Sequence, residues 1–416
     1  MICIAILGYG VVGSGVAQVI KKNHSQINNK AGNEICIKHI LDIRDFNDKE
    51  VKKILTRNFD DILNDDEVRI IVETMGGLTP AFEYVRKALE RGKHVCTSNK
   101  ELVATHGARL LEIAKKNNVS FLFEASVGGG IPVIRPINTA LSIDTVLSVS
   151  GILNGTTNYI LTQMESFGKT FEEALSKAQE LGYAEKNPEA DIKGFDSCRK
   201  LAILLSIASG RQISYDKIQT EGIDGLQVDD FILAQKIGYK IKLMAQGAIK
   251  KDGVEALVAP MLIKEDHQFA NVPGVFNAVL VHTKSCGDTM FYGQGAGSEP
   301  TALAVISDII DIATNIKRHI KHIWAEDELH ILPAAGYLRR RMTRVKTVHI
   351  KTTKEMVVHT FGKDCVFIET DDPCQLGWLS PFEDEGVFGG KINEIKKIDP
   401  GIEFLSVIRI FEETNK

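Results

Sequence analysis

Short apolar runs alternate with amphipathic stretches over the first third of the chain. Ile2–Leu7 is a compact run rich in β-branched residues, Val11–Lys22 reads as helix, and residues 35–43 and 68–73 repeat the strand pattern. Residues 80–90 and 106–116 have helical periodicity, while residues 94–96 and 119–123 are again short and apolar. Strands without polar alternation, separated by helices, predict βαβ units and a parallel sheet covered on both faces.

The pattern changes beyond residue 140. Residues 145–151 read as a strand, 158–167 and 171–181 as helices, and 197–209 as a strongly apolar helix behind a polar loop at 182–194. Residues 239–248 and 254–263 form a predicted antiparallel pair about the turn Lys251-Asp252-Gly253. A second hairpin spans 279–284 and 289–293, and 301–315 reads as a helix with Pro300 near its first turn. The fold class expected is α/β: an N-terminal doubly wound parallel sheet, a middle α+β domain for substrate binding and dimerisation, and a small C-terminal α+β domain. The expected boundaries are 1–140 with a return of the chain at 290–330, then 141–330, then 345–416.

Composition narrows the classes. The 416 residues are 44% hydrophobic and 25% charged with a formal charge of −4, an ordinary globular balance. No basic run stands out, so neither nucleic acid nor a membrane surface is expected as a partner. Seven cysteines include no CxxC pair, which argues against a disulfide framework or structural zinc and for a reducing, cytoplasmic setting. The first twenty residues are uncharged, but Lys21 and Lys22 follow the apolar run and Gly8, Gly10, Gly13 and Gly15 interrupt it. A signal peptide needs its basic residues first.

Those glycines have a better use. Gly8-Tyr9-Gly10-Val11-Val12-Gly13 is a GxGxxG between a predicted strand and a predicted helix. Such a turn lets the backbone approach a pyrophosphate and aims free helix N–H groups at it, so a Rossmann-type dinucleotide site is expected here. The end of the second strand should read the ribose. It carries Asp42-Ile43-Arg44-Asp45, where an acid suits a 2′-hydroxyl and an arginine suits a 2′-phosphate, so both NAD and NADP remain open. Arg44 tilts the expectation towards NADP.

A second cluster lies at residues 182–201. Glu185, Glu189, Asp191 and Asp196 precede a helix carrying Lys200, four residues after Asp196 and on the same face. That stripe continues as Ile203, Leu204 and Ile207, so the pair should line a polar pocket rather than form a surface ion pair. A lysine so placed can protonate a developing alkoxide while the carboxylate fixes it.

Together these segments resemble the homoserine dehydrogenase family. The resemblance runs in order over roughly residues 1–330. It comprises GYGVVG, Ser98-Asn99-Lys100 with Glu101, EASVGGGIP at 124–132, GILNGTTNYIL at 151–161, GYAE…NP…D…G.D…KL at 182–201 and YGQGAG..PTA at 292–302. It implies reversible hydride transfer between a nicotinamide cofactor and L-aspartate 4-semialdehyde, giving L-homoserine, a step towards threonine, methionine and isoleucine. It also implies roles. Lys200 is the proton donor, Asp196 its positioning carboxylate, and Lys100 a lysine near both nicotinamide and substrate. Glu185, Asp191, Thr156 and Gly155 bind substrate. Cofactor contacts are Gly8, Tyr9, Gly10, Val11, Val12, Gly13, Arg44, Thr74, Lys100 and Gly295. Glu124, Val127, Gly129 and Ile131 match a monovalent-cation site, Na+ or K+, built mostly from backbone carbonyls. A homodimer or homotetramer is expected, its interface formed by the middle domain's strands.

Two other readings are weighed against this one: another semialdehyde or amino-acid dehydrogenase on the same frame, and a nucleotide-sensing regulator with a dead site. The second predicts loss of the lysine–carboxylate set, which is present. Cys96, Cys198 and Cys286 are expected as small buried hydrophobes rather than nucleophiles. His319 and His322, three apart on a predicted helix, lack a third ligand and should hold no metal. The tail resembles an ACT domain, a βαββαβ unit with an Asp-x-Pro-Gly-x-Leu turn after its first strand. Here residues 366–370 are strand-like and Asp371-Asp372-Pro373-Cys374-Gln375-Leu376 follows, with Cys374 in the glycine's place. A degenerate effector site is therefore expected.

Overall fold

Six parallel strands carry the N-terminal third of the chain. They are β1 (Ile2–Leu7), β2 (Ile35–Leu41), β3 (Leu55–Thr56), β4 (Val68–Glu73), β5 (His94–Thr97) and β6 (Phe121–Leu122). Their spatial order is β3-β2-β1-β4-β5-β6, with β1 flanked by β2 and β4. The order reverses at β1, which opens a crevice at the carboxyl ends of β1 and β4 where a nucleotide can sit. Every residue of β1 is buried, which is why its pattern is a continuous apolar run. The computed structural model describes residues 1–333 and 337–412.

The chain divides into two compact units. The first comprises residues 1–149, 199–215 and 279–330, the second residues 150–198, 216–278 and 331–416. In the first, helix α1 (Val11–Lys22) and the helix Ser298–Thr314 share one core with β1, β2 and β4, built from Ile4, Ile6, Val16, Val72, Val305 and Ile309 among others. Gly15 permits that helix pair. A Cβ on it would lie 2.6 Å from Ser298 Oγ, so the missing side chain sets the close approach.

The second unit contains the long hairpin Tyr239–Lys250 and Gly253–Lys264, paired from Tyr239 opposite Lys264 to Lys250 opposite Gly253 about a two-residue turn. Its helix Gly155–Phe167 starts on an asparagine cap and ends at Gly168 in the left-handed region, φ 61°. The tail forms a βαββαβ unit: Arg341–Lys346, helix Ile350–Phe361, Val366–Ile368, Gln375–Leu379, helix Glu385–Ile398 and Glu403–Ile410. Its strands pair antiparallel in the order fourth, first, third, second. Trp378, Val345, Phe361, Phe388 and Ile395 fill its core.

The tail corrects two expectations. Its first strand is Arg341–Lys346, before the boundary placed at 345, and Val366–Ile368 is the second strand. Asp371–Leu376 therefore joins the second strand to the third, so it is not the turn after the first strand, and Cys374 does not replace that turn's glycine. The missed strand carries Arg341 and Arg344, which hide it from a hydropathy reading. Both arginine side chains are fully buried, because Arg341 meets Glu385 and Arg344 meets Asp230 Oδ1 at 2.8 Å. His319 and His322 also differ from expectation, since the preceding helix ends at Thr314 and both lie beyond it. His319 Nδ1 meets Val119 O at 2.6 Å.

Candidate active site

The glycine turn is shaped for close approach. Gly8 has φ 89°, and a Cβ there would stand 2.9 Å from the Met75 backbone. A Cβ on Gly13 would lie 2.1 Å from Gly8 O and 2.8 Å from Thr74 Oγ1, so α1 packs directly on the turn. Thr74 closes the other side by donating its hydroxyl to Gly8 O at 2.7 Å. Gly10 caps α1 and offers it no side-chain acceptor, and the first turn holds no acidic residue. A helix N-terminus left this way suits an anion. Gly8, Gly10, Asp42, Arg44, Thr74 and Met75 share the walls of a cleft of about 510 Å³. Tyr9, Val11, Val12 and Gly13 complete the turn beside it, with Val11 exposed.

At the ribose end Asp42 is buried and fully engaged. Its carboxylate accepts from Tyr9 N at 2.7 Å, from Arg44 N at 2.9 Å, and from the Arg44 fork at 2.9 Å (Nε) and 2.7 Å (Nη2). The Arg44 hydrogen bonds hold the Asp42 carboxyl down at about 2. Arg57 lines the same cleft and reaches Asp45 at 2.7 Å. Arg57, Met75 and Tyr84 line the cleft without having been expected there; their positions depend on which loops the sheet brings together, and no short motif marks them.

A buried polar network ties the next two loops together. Glu73 at the end of β4 accepts from Thr97 Oγ1 at 2.5 Å and from Met75 N at 2.8 Å. Burial raises the Glu73 carboxyl above its ordinary range. Asn99 donates to Gly77 O at 2.7 Å and caps the helix Lys100–Lys116 through Leu102 N. Lys100 is therefore the first residue of a helix whose start is fixed by the same network that shapes the Thr74–Gly77 loop.

Glu124, Val127, Gly129 and Ile131 are all buried in one loop. Both carboxylate oxygens of Glu124 are spent on backbone N–H groups, those of Val133, Ile134 and Arg135 at 2.8–3.0 Å. Gly128 and Gly129 lie at φ 80° and 54° and turn the loop. Gly295 packs against it, its carbonyl 2.6 Å from where a Gly129 Cβ would be. Gly295 thus joins the Gly129 loop and is not among the residues lining the cleft.

In the second unit several of the residues expected at the substrate gather about the start of the helix Gly155–Phe167. Asn154 Nδ2 donates to Asp191 Oδ1 at 2.7 Å and to Asp196 Oδ2 at 2.9 Å. Gly155 begins the helix that Asn154 caps, and a Cβ on it would lie 2.6 Å from Val275 O. Thr156 donates its hydroxyl to Tyr183 O at 2.6 Å, which draws the 182–194 loop to the helix start. Glu185 is exposed in that loop, with its carbonyl accepting from Gln179 at 3.1 Å. On the helix Phe195–Ser209, Asp196 (2% exposed) belongs to the second unit and Lys200 (8%), one turn further on, to the first, where the helix runs on as the buried Leu201, Ile203 and Leu204.

Cys96 and Cys198 are buried free thiols, as expected, and burial pushes the Cys96 thiol well up. Cys286 departs from expectation: it is exposed at a hairpin turn, its N–H donating to Asp144 at 3.0 Å. Among the described residues no group of three or more His, Cys, Asp or Glu side chains can hold a metal, and no helix is long and apolar enough to cross a membrane.

A glycine-turn cleft at the switch point of a parallel sheet is the frame on which nicotinamide-dependent oxidoreductases hold their cofactor. Comparison with known proteins carries this further. Residues 8–124 match the homoserine dehydrogenase NAD binding domain and residues 132–310 match homoserine dehydrogenase. The homoserine dehydrogenase of Lactococcus lactis is 40% identical over 322 residues, 76% of this chain and 74% of that one. The crystal structure of a homoserine dehydrogenase from Thiobacillus denitrificans superposes with a TM-score of 0.88 at 33% identity, covering 99% of this chain and 98% of that one. A hyperthermophilic archaeal homoserine dehydrogenase in complex with NADPH gives 0.63 at 26% identity, over 77% of this chain and 99% of that one. The chain belongs to the homoserine dehydrogenase family, NAD(P)-dependent oxidoreductases that act on a CH–OH group.

Proposed function

We propose that the chain interconverts L-aspartate 4-semialdehyde and L-homoserine with NADP favoured over NAD, in the cytoplasm, as a homodimer or homotetramer. The observation that carries the chemistry is that Asp196 and Lys200 are both buried and one turn apart on a single helix. A bound nicotinamide supplies or accepts the hydride. Lys200 gives its proton to the carbonyl oxygen as reduction proceeds and takes it back in oxidation, while Asp196 keeps the ammonium in place. Asp191 and Glu185 receive the substrate's amino group, and the N–H groups at Gly155 and Thr156 suit its carboxylate. Lys100, set at a helix start by Asn99, serves both cofactor and substrate. Arg44 and Arg57 in the cleft, and the NADPH in the archaeal relative's structure, favour the phosphorylated cofactor. The carbonyls of Glu124, Val127, Gly129 and Ile131 would hold Na+ or K+.

Homoserine oxidation measured with NAD and NADP in parallel, in sodium, potassium and choline salts, tests cofactor and cation together. Lys200→Ala should lower kcat by about 10²–10⁴ and leave cofactor affinity intact. A variant with near-normal kcat would remove Lys200 from the chemistry. Glu185→Gln should raise KM for homoserine more than it lowers kcat.

A further inference from the structure

We propose that Asn154 is a positioning residue for the two carboxylates, through an amide whose two ends do separate jobs. Its oxygen accepts from Thr157 N at 2.8 Å and from Thr157 Oγ1 at 3.1 Å, capping the helix Gly155–Phe167. Its nitrogen donates to Asp191 at 2.7 Å and to Asp196 at 2.9 Å. The residue is 5% exposed. The Thr157 N–H needs an acceptor and both carboxylates need donors, so only one orientation of the amide satisfies all of them. Two carboxylates reached by one nitrogen lie close enough to repel each other. A neutral group with two N–H bonds holds them at that spacing without adding charge.

Three elements are joined in this way. Asp191 lies in the short helix Glu189–Ile192, Asp196 opens the helix Phe195–Ser209, and Asn154 fixes the start of Gly155–Phe167. The substrate helix is thereby set against the carboxylate that orients Lys200 and the one that binds the amino group. A purely capping role would need the oxygen alone, and serine or aspartate would fill it equally well. The amide nitrogen is what distinguishes asparagine here.

The inference rests on Asp191 and Asp196 acting at the substrate site, so the test separates the two claims. Full-length Asn154→Ser and Asn154→Asp keep a capping oxygen and lose the donor; Asn154→Ala loses both. Each is measured for thermal unfolding and for homoserine oxidation, beside Asp191→Asn and Asp196→Asn. Asn154→Ser should melt near the wild-type temperature, whereas Asn154→Asp, which sets a third carboxylate against the other two, should melt lower. In both, KM for homoserine should rise and kcat fall, with kcat/KM lowered about 10- to 100-fold by misplacement. The KM for the cofactor should hold, and aspartate should be the worse of the two because it adds a third carboxylate. Asn154→Ala should also lose melting temperature. Wild-type kinetics in Asn154→Ser and Asn154→Asp, with a defect only in Asn154→Ala, would reduce the residue to a cap and overturn the proposal. Full activity in both Asp191→Asn and Asp196→Asn would overturn the underlying site assignment, and the proposal with it.

Discussion

Arg44→Ala should invert the cofactor preference, and the geometry says by how much. Arg44 lies over Asp42 with two hydrogen bonds of 2.9 and 2.7 Å, and its side chain is 56% exposed while that of Asp42 is 5%. The guanidinium is therefore the face that an incoming 2′ substituent meets, and the acid beneath it is already satisfied. A 2′-phosphate gains a charge-assisted hydrogen bond from Arg44, worth about 1.5–3 kcal/mol. At about 1.4 kcal/mol per decade, its loss weakens NADP binding about 10- to 150-fold. Removing Arg44 also uncovers Asp42. Its carboxyl would relax from about 2 towards the ordinary 3.8, so at pH 7 it stays ionised and repels a phosphate. The same uncovered carboxylate can accept the 2′-hydroxyl of NAD, whose affinity should hold or improve. Fluorescence titration of the variant with NADPH and NADH, at low and high salt, measures both constants. Equal weakening of the two cofactors would show that Arg44 does not read the phosphate.

Three further outcomes follow from other parts of the fold. Gly13→Ala puts a methyl group 2.1 Å from Gly8 O; it should cost about 1–3 kcal/mol of stability and abolish dinucleotide binding, and a variant with wild-type cofactor affinity would contradict the close-packing argument. His94 is buried, accepts Ser120 N at Nδ1 (3.0 Å), and is held neutral, its pKa lowered from 6.5 to about 4 by desolvation. Between those values the unfolded chain binds the proton and the folded one does not, so stability should fall as pH drops from 6.5 to 4. Denaturant titrations across that range in wild type and His94→Gln would expose the error if the slope is unchanged by the substitution. A chain ending at Pro333 removes the whole βαββαβ unit, whereas a cut after Met342 would leave part of its first strand. If the full-length enzyme is inhibited by threonine and the shortened one is not, the tail is a working sensor; insensitivity of both fits a structural appendage.

The chain's pattern determined the nucleotide half almost completely. Buried parallel strands must be continuously apolar, and a phosphate turn needs glycine where a side chain would collide, so β1, the GxGxxG and α1 are written in local sequence. The carboxylate–lysine helix was legible for a similar reason, because charged residues on an otherwise apolar stripe demand a partner or a pocket. What local sequence does not carry is which distant groups meet. Arg341–Lys346 is a strand because Glu385 and Asp230 arrive from elsewhere to neutralise its arginines. Arg57, just after the edge strand β3, and Tyr84, in the helix after β4, reach the cleft only once the sheet has assembled. The Glu124 carboxylate is withdrawn from its loop by three N–H groups nine to eleven residues away. Asn154 is the sharpest case. Its place before Gly155-Thr156-Thr157 marks a helix cap, a local signal, but its hold on Asp191 and Asp196 spans 37 and 42 residues and exists only once the chain has folded.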